Sequence, residues 1–130
     1  MTASNSFSDS SSEQALNETK LLLDFFQLDE NQCRAIRSMR DVIDQALPSA
    51  LNKFYDKVKI TEQLKHFFSS DEHMRHARNA QIAHWKNISN ADFGEDYNKK
   101  VRAIGTVHAR IGLEPRWYLG GYAIVLDSLI

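Results

Sequence analysis

The sequence predicts an all-α fold, on three observations. Breakers are scarce: two prolines and five glycines in 130 residues, with every glycine after position 93. No run of alternating apolar and polar residues is long enough for a strand. Apolar residues recur instead at every third or fourth position, the repeat that lines one face of a helix.

Residues 1–11, polar and serine-rich, predict a disordered tail, followed by one domain over residues 12–130. A first helix is expected from about Ser12 to Gln27, with Leu16, Leu21, Leu22, Leu23, Phe25 and Phe26 as a wide apolar stripe. Asp29 with Gln32 three residues on is a capping-box pattern that opens a second helix. That helix carries Cys33, Ile36, Ile43 and Leu47 on one face, and Pro48 predicts a restart, because proline suits a first helical turn. A third helix then carries Leu51, Phe54, Tyr55 and Val58, and a short one covers Thr61–Phe68. Ser69 and Glu72 predict a second capping box, opening a helix to about Ile88 with Met74, Ala77, Gln81, Trp85 and Ile88 on one face. "SNADFG" reads as a loop. The next helix carries Tyr97, Val101, Ile104, His108 and Ile111 at helical spacing, with Gly112 as its C′ residue. Pro115 starts the last helix, which runs to Ile130.

Composition narrows the function classes. Sixteen basic against seventeen acidic residues leave a formal charge of -1, so no basic excess points to nucleic acid or an anionic membrane. A single cysteine, Cys33, cannot form a disulfide within the chain. No signal peptide and no membrane-spanning apolar run are present, and the expected localisation is cytoplasmic. No P-loop, nucleophile elbow or paired catalytic carboxylates occur, so no enzyme is expected. His66, His73, His76 and His84 lack the cysteine or carboxylate spacing of a structural zinc site, and a solvated helix face is the expected role. Asn87–Ser89 fits the glycosylation pattern, which carries no meaning without a secretory signal.

His108 is the residue that asks for an explanation. A lone histidine on an apolar helix face is most often a core histidine with one satisfied nitrogen. The alternative is a metal or haem ligand, since a neutral imidazole in an apolar slot between helices is a common axial ligand for haem iron. Periodicity permits both.

The stretch "IGTVHARIGLEPRWYLGGY" resembles the proximal-helix signature of the globin-coupled sensors, bacterial haem domains with a globin fold. The family pattern I-G-x-x-H-x-R-I-G-L-x-P-x-W-Y is matched at every specified position. "HW" at His84–Trp85 resembles the end of that family's distal helix, and "FYD" at Phe54–Asp56 the part of its B helix that carries a distal tyrosine. The resemblance covers about Leu28 to Ile130. It implies a globin-like fold with an extra N-terminal helix and without the final globin helix, because the chain stops inside the helix after the signature. It also implies haem b as cofactor, with His108 as the iron ligand and Tyr55 as the donor to bound oxygen; the other ring N–H of His108 would need an acceptor, expected to be a carbonyl one turn back. For Tyr55 the alternative is a core tyrosine with its hydroxyl at the surface.

The distal threonine of some aerotaxis members falls on Ala80, which cannot donate, leaving Tyr55 as the donor, alone or helped by Gln81 or water. His84 reads as structural. Phe54, Phe68, Ala77, Ile104, Ile111, Leu113, Trp117 and Tyr118 are the expected haem walls, with core filling as the alternative for any one of them. Trp117 and Tyr118 would also report ligand state to the last helix. The resemblance further implies O2 as ligand, with CO or NO as others, and a homodimer through the C-terminal helices. An output region outside this chain is implied too, most like the chemotaxis or aerotaxis type of signal transduction. The alternatives are a diguanylate cyclase sensor or a globin-like interaction module without haem.

Overall fold

The computed structural model describes residues 6–130, which form seven α-helices and, among the described residues, no strand. The helices are α1 (Ser6–Phe25), α2 (Glu30–Ser38), α3 (Arg40–Ile60), α4 (Glu62–Lys65), α5 (Asp71–Asn90), α6 (Glu95–Ile111) and α7 (Pro115–Leu129). The first helix starts at Ser6 rather than at about Ser12; the rest of the expected tail, residues 1–5, lies outside the described residues. The stripe on α1 is not buried as a stripe: Leu16, Leu21, Leu22, Phe25 and Phe26 are exposed, and only Leu23 is half-buried.

The short helix α4 is narrower than Thr61–Phe68, and further boundaries differ from the sequence reading for local reasons. The second helix ends at Ser38, where Met39 (φ -92°, ψ 0°) turns its N–H back to the Ile36 carbonyl and α3 begins at Arg40. Pro48 therefore lies inside α3 and not at its start. Proline deletes one helical hydrogen bond, here to the Asp44 carbonyl, and both residues are exposed, so water can take its place. The cap of α5 is Ser70, not Ser69: its hydroxyl accepts from the His73 N–H at 3.0 Å, and His73 Nδ1 accepts from the Ser69 N–H at 3.2 Å. His73 thus acts much as the glutamate of a capping box does, but on the N–H one residue before the cap. Asp29 caps α2 as expected, accepting from the Gln32 N–H at 2.9 Å.

The core is built on α3. Leu47, Ala50 and Leu51 meet Trp85 of α5 and Val125 of α7, all nearly inaccessible to solvent. Burying each leucine contributes roughly 2 kcal/mol. One helical turn on, Tyr55 and Val58 join Met74 of α5, with Phe68 and Ala77 against them. Phe54 touches both clusters. Its ring explains Gly121: a Cβ there would lie 2.9 Å from Phe54 Cε2, so α7 approaches α3 this closely only with glycine. The C-terminus of α5 is held by Arg37 of α2, whose Nε donates to the Asn90 carbonyl (3.0 Å) and Nη2 to the Ala91 carbonyl (3.5 Å). A guanidinium there satisfies carbonyls the helix leaves unbonded and opposes the helix dipole.

The helix α6 is different. It has no fully buried residue, and it makes at most marginal backbone approach to any other helix. Its side-chain ties to other helices come near its two ends: Asn98 Nδ2 donates to Thr19 Oγ1 of α1, and His108 meets α7. No described helix is long and apolar enough to cross a membrane.

Candidate functional site

The position of His108 follows from how α6 stops. Gly112 takes a left-handed conformation (φ 76°), which a side chain would strain, and its N–H turns back to the last turn of the helix. The Leu113 N–H reaches the His108 carbonyl at 3.0 Å. Pro115 then opens α7 at its first position, four residues after α6 ends. Across this short turn Tyr118 stacks on His108, with ring centroids 5.1 Å apart and planes 17° apart. The imidazole is half-buried and makes no hydrogen bond among the described residues; the expected acceptor one turn back is not engaged. Burial pushes its pKa below the ordinary histidine value, which favours the neutral ring with a free lone pair.

Facing it from α5 is a polar group on an otherwise apolar helix face. His84 is half-buried, and its pKa is lowered by burial and, second, by the neighbouring His108. Its Nε2 lies 2.8 Å from the Tyr122 hydroxyl of α7. Its Nδ1 is buried without a hydrogen-bond partner, as is Oε1 of Gln81, three residues before it. Tyr122 is in turn pushed up by burial and by Tyr97 of α6. From the sequence His84 reads as structural, and Tyr122 carries no signal of its own. The signal for the pair is faint: Gln81, His84 and Ile88 share one face at helical spacing, but nothing in sequence pairs His84 with a tyrosine on another helix.

Tyr55 lies in a second neighbourhood. Its ring is buried between Phe54 (4.9 Å, edge-on) and Phe68 (6.0 Å, edge-on). It also lines a cleft of about 330 Å³ between α3 and α5, with Asn52, Asp56, Met74 and Arg78. Burial raises its pKa to about 12, opposed by the Arg78 guanidinium. That guanidinium is fixed by Asn52 Oδ1 (2.9 Å) and the Pro48 carbonyl (3.3 Å). Tyr55 and His108 thus have different immediate neighbours, and Phe54 and α7 link the two groups.

The protoglobin family profile matches residues 16–130. The chain belongs to the protoglobin family. Protoglobins are haem-binding globins that take gas ligands such as O2, and the all-α globin-like fold and the resemblance to globin-coupled sensors agree with that membership.

The residues of this protoglobin fit a haem. Its proximal signature supplies a neutral, half-buried imidazole with no competing hydrogen bond. Among the described residues, the helix carrying it makes at most marginal backbone approach to any other helix, and Val101, Val107 and Ile111 along it keep apolar surface exposed. Two buried polar atoms on α5 are unpartnered beside it. Of the expected wall residues, Ile104, Leu113, Trp117 and Tyr118 are half-buried on α6, its turn and α7. Phe54, Phe68 and Ala77 are half-buried around Tyr55, whereas Ala80 and Ile111 are exposed. The Arg116 guanidinium covers the Trp117 ring at 5.2 Å. Among the described residues no three of His, Cys, Asp and Glu gather at metal-binding distance, and His73 is engaged in the α5 cap.

Proposed function

We propose that residues 12–130 of this protoglobin are an oxygen-sensing domain that holds haem b through His108. When bound, haem supplies an iron that takes and releases a diatomic gas. The observation that carries the reading is the His108 imidazole: neutral, half-buried and, among the described residues, without a hydrogen bond, within a fully matched proximal signature, on a helix with at most marginal backbone approach to the other described helices. Tyr118 stacks on the ring and fixes its plane. Ile104 and Leu113, half-buried on either side of it in sequence, supply apolar walls. Tyr55, whose pKa is raised to about 12, keeps its proton at any physiological pH and serves as donor toward the gas. A phenol donor favours O2, which carries partial charge when bound, over CO.

The signal leaves through α7. Tyr118 contacts His108 directly and lies on the helix that packs on α3, so a displacement of His108 biases α7. An aerotaxis or chemotaxis output, and a homodimer through the C-terminal helices, complete the proposal. The deciding experiment is a haem titration of the purified chain. One Soret-bearing haem per chain is expected, with a five-coordinate ferrous spectrum that His108→Ala abolishes. A chain that takes up no haem, or a His108→Ala variant with an unaltered spectrum, overturns the reading.

A further inference from the structure

Two buried polar atoms on one face of α5 have no partner: Gln81 Oε1 and His84 Nδ1. Leaving such atoms unmatched costs on the order of 1–3 kcal/mol each, so they call for a ligand that the protein itself does not supply. Their chemistry identifies it. Among the described residues, the Tyr122 hydroxyl has His84 Nε2 as its hydrogen-bond partner, at 2.8 Å. Burial and the nearby Tyr97 both favour the protonated phenol, so Tyr122 has a proton to donate. Accepting it at Nε2 leaves the ring proton of neutral His84 on Nδ1. Nδ1–H is then a buried donor and Gln81 Oε1 a buried acceptor, three residues apart on the same helix and within reach of one small molecule.

We propose that Gln81 and His84 bind one water molecule on the α5 face near His108, that Tyr122 sets the tautomer of His84 that holds it, and that the water is a second donor toward the gas, beside Tyr55. The last part rests on the haem reading above. The water accepts from His84 Nδ1–H and donates one hydrogen to Gln81 Oε1. Its second hydrogen remains free, pointing a neutral donor into the site. Buried waters ordinarily make about three hydrogen bonds, so two protein partners leave one for a ligand. Tyr122 and His84 are positioning residues in this arrangement, and both tie the gas-side helix α5 to α7.

Two measurements test it. In the haem-free protein, nitrogen-15 NMR of His84 should report the Nδ1–H tautomer, and Tyr122→Phe should shift the population toward Nε2–H. An Nε2–H ring in the parent protein, or no change in Tyr122→Phe, overturns the assignment. In the haem-loaded protein, Gln81→Leu and His84→Phe should each speed oxygen release about fivefold, the worth of one neutral hydrogen bond. Carbon monoxide release, with a far weaker acceptor, should stay within about twofold. Tyr122→Phe, which removes a single oxygen atom, keeps the comparison readable if His84→Phe does not fold, and should give a smaller acceleration in the same direction. Unchanged oxygen release in Gln81→Leu and Tyr122→Phe, or equal acceleration for both gases, overturns the water's role. Failure to load haem would overturn the function above, while the tautomer measurement still decides the Gln81–His84–Tyr122 assignment.

Discussion

Helices α3 and α6 look alike in sequence and differ in what they bury. Both place apolar residues every three or four positions. In α3, Leu47, Ala50, Leu51, Tyr55 and Val58 are all buried, against α5 and α7. In α6, no residue is buried, and Val101 and Ile111 of its stripe stay exposed. A stripe reports that a helix has an apolar face; it does not report whether protein or a bound group covers it. The difference teaches that this chain covers the apolar face of α3 with its own side chains and leaves that of α6 largely open.

Hydrogen exchange should expose that contrast most strongly. In the haem-free protein, amides in the middle of α3 should be protected at least about 100-fold more than those in the middle of α6, because local opening costs least where few contacts are buried. Equal protection would break the comparison, and haem should narrow the gap. Next in size, Leu51→Ala should cost about 3–4 kcal/mol in urea unfolding, from lost burial and a cavity that close-packed neighbours cannot fill. Ile104→Ala should cost under about 1 kcal/mol in the haem-free protein, since its environment is already half open.

The third prediction concerns pH. Tyr55 titrates near 12 when folded and near 10 when unfolded. Between these values the unfolded chain has lost a proton that the folded chain keeps, so stability falls as pH rises. The expected loss is about 2–3 kcal/mol across that window, and Tyr55→Phe should remove the steep part of the decline in an alkaline unfolding titration. A parent protein with a flat profile there would show that Tyr55 is not buried as described. The smallest effects contrast neighbouring glycines of α7. Gly120→Ala meets nothing within 4 Å and should stabilise by roughly 0.5–1 kcal/mol, whereas Gly121→Ala meets Phe54 and should destabilise by about 1 kcal/mol in thermal melts.

Much of this was legible in the sequence, where local chemistry decides the outcome. Asp29 with Gln32, Gly112 and Pro115 each mark a helix end by their own backbone needs, and each occurs where expected. Pro48 misled because its effect depends on burial, which sequence does not display: on an exposed face the lost bond is cheap and the helix runs through. Ser70 in place of Ser69 turned on a histidine acting as the reciprocal partner. His108 could be singled out through a long, specific signature. The Gln81–His84–Tyr122 group could not, because side chains from two separate helices form it and no spacing along the chain encodes their meeting.

Asn98 and His108 fasten α6 near its two ends, to α1 and to α7, with little to hold its middle. A beam supported in that way has few modes of travel: it can bow between its supports or roll about the line joining them. Either motion delivers force to α1 as well as to α7. The N-terminal helix, with its apolar stripe turned outward, therefore shares one support with His108, and a load placed on α6 is divided between α1 and α7.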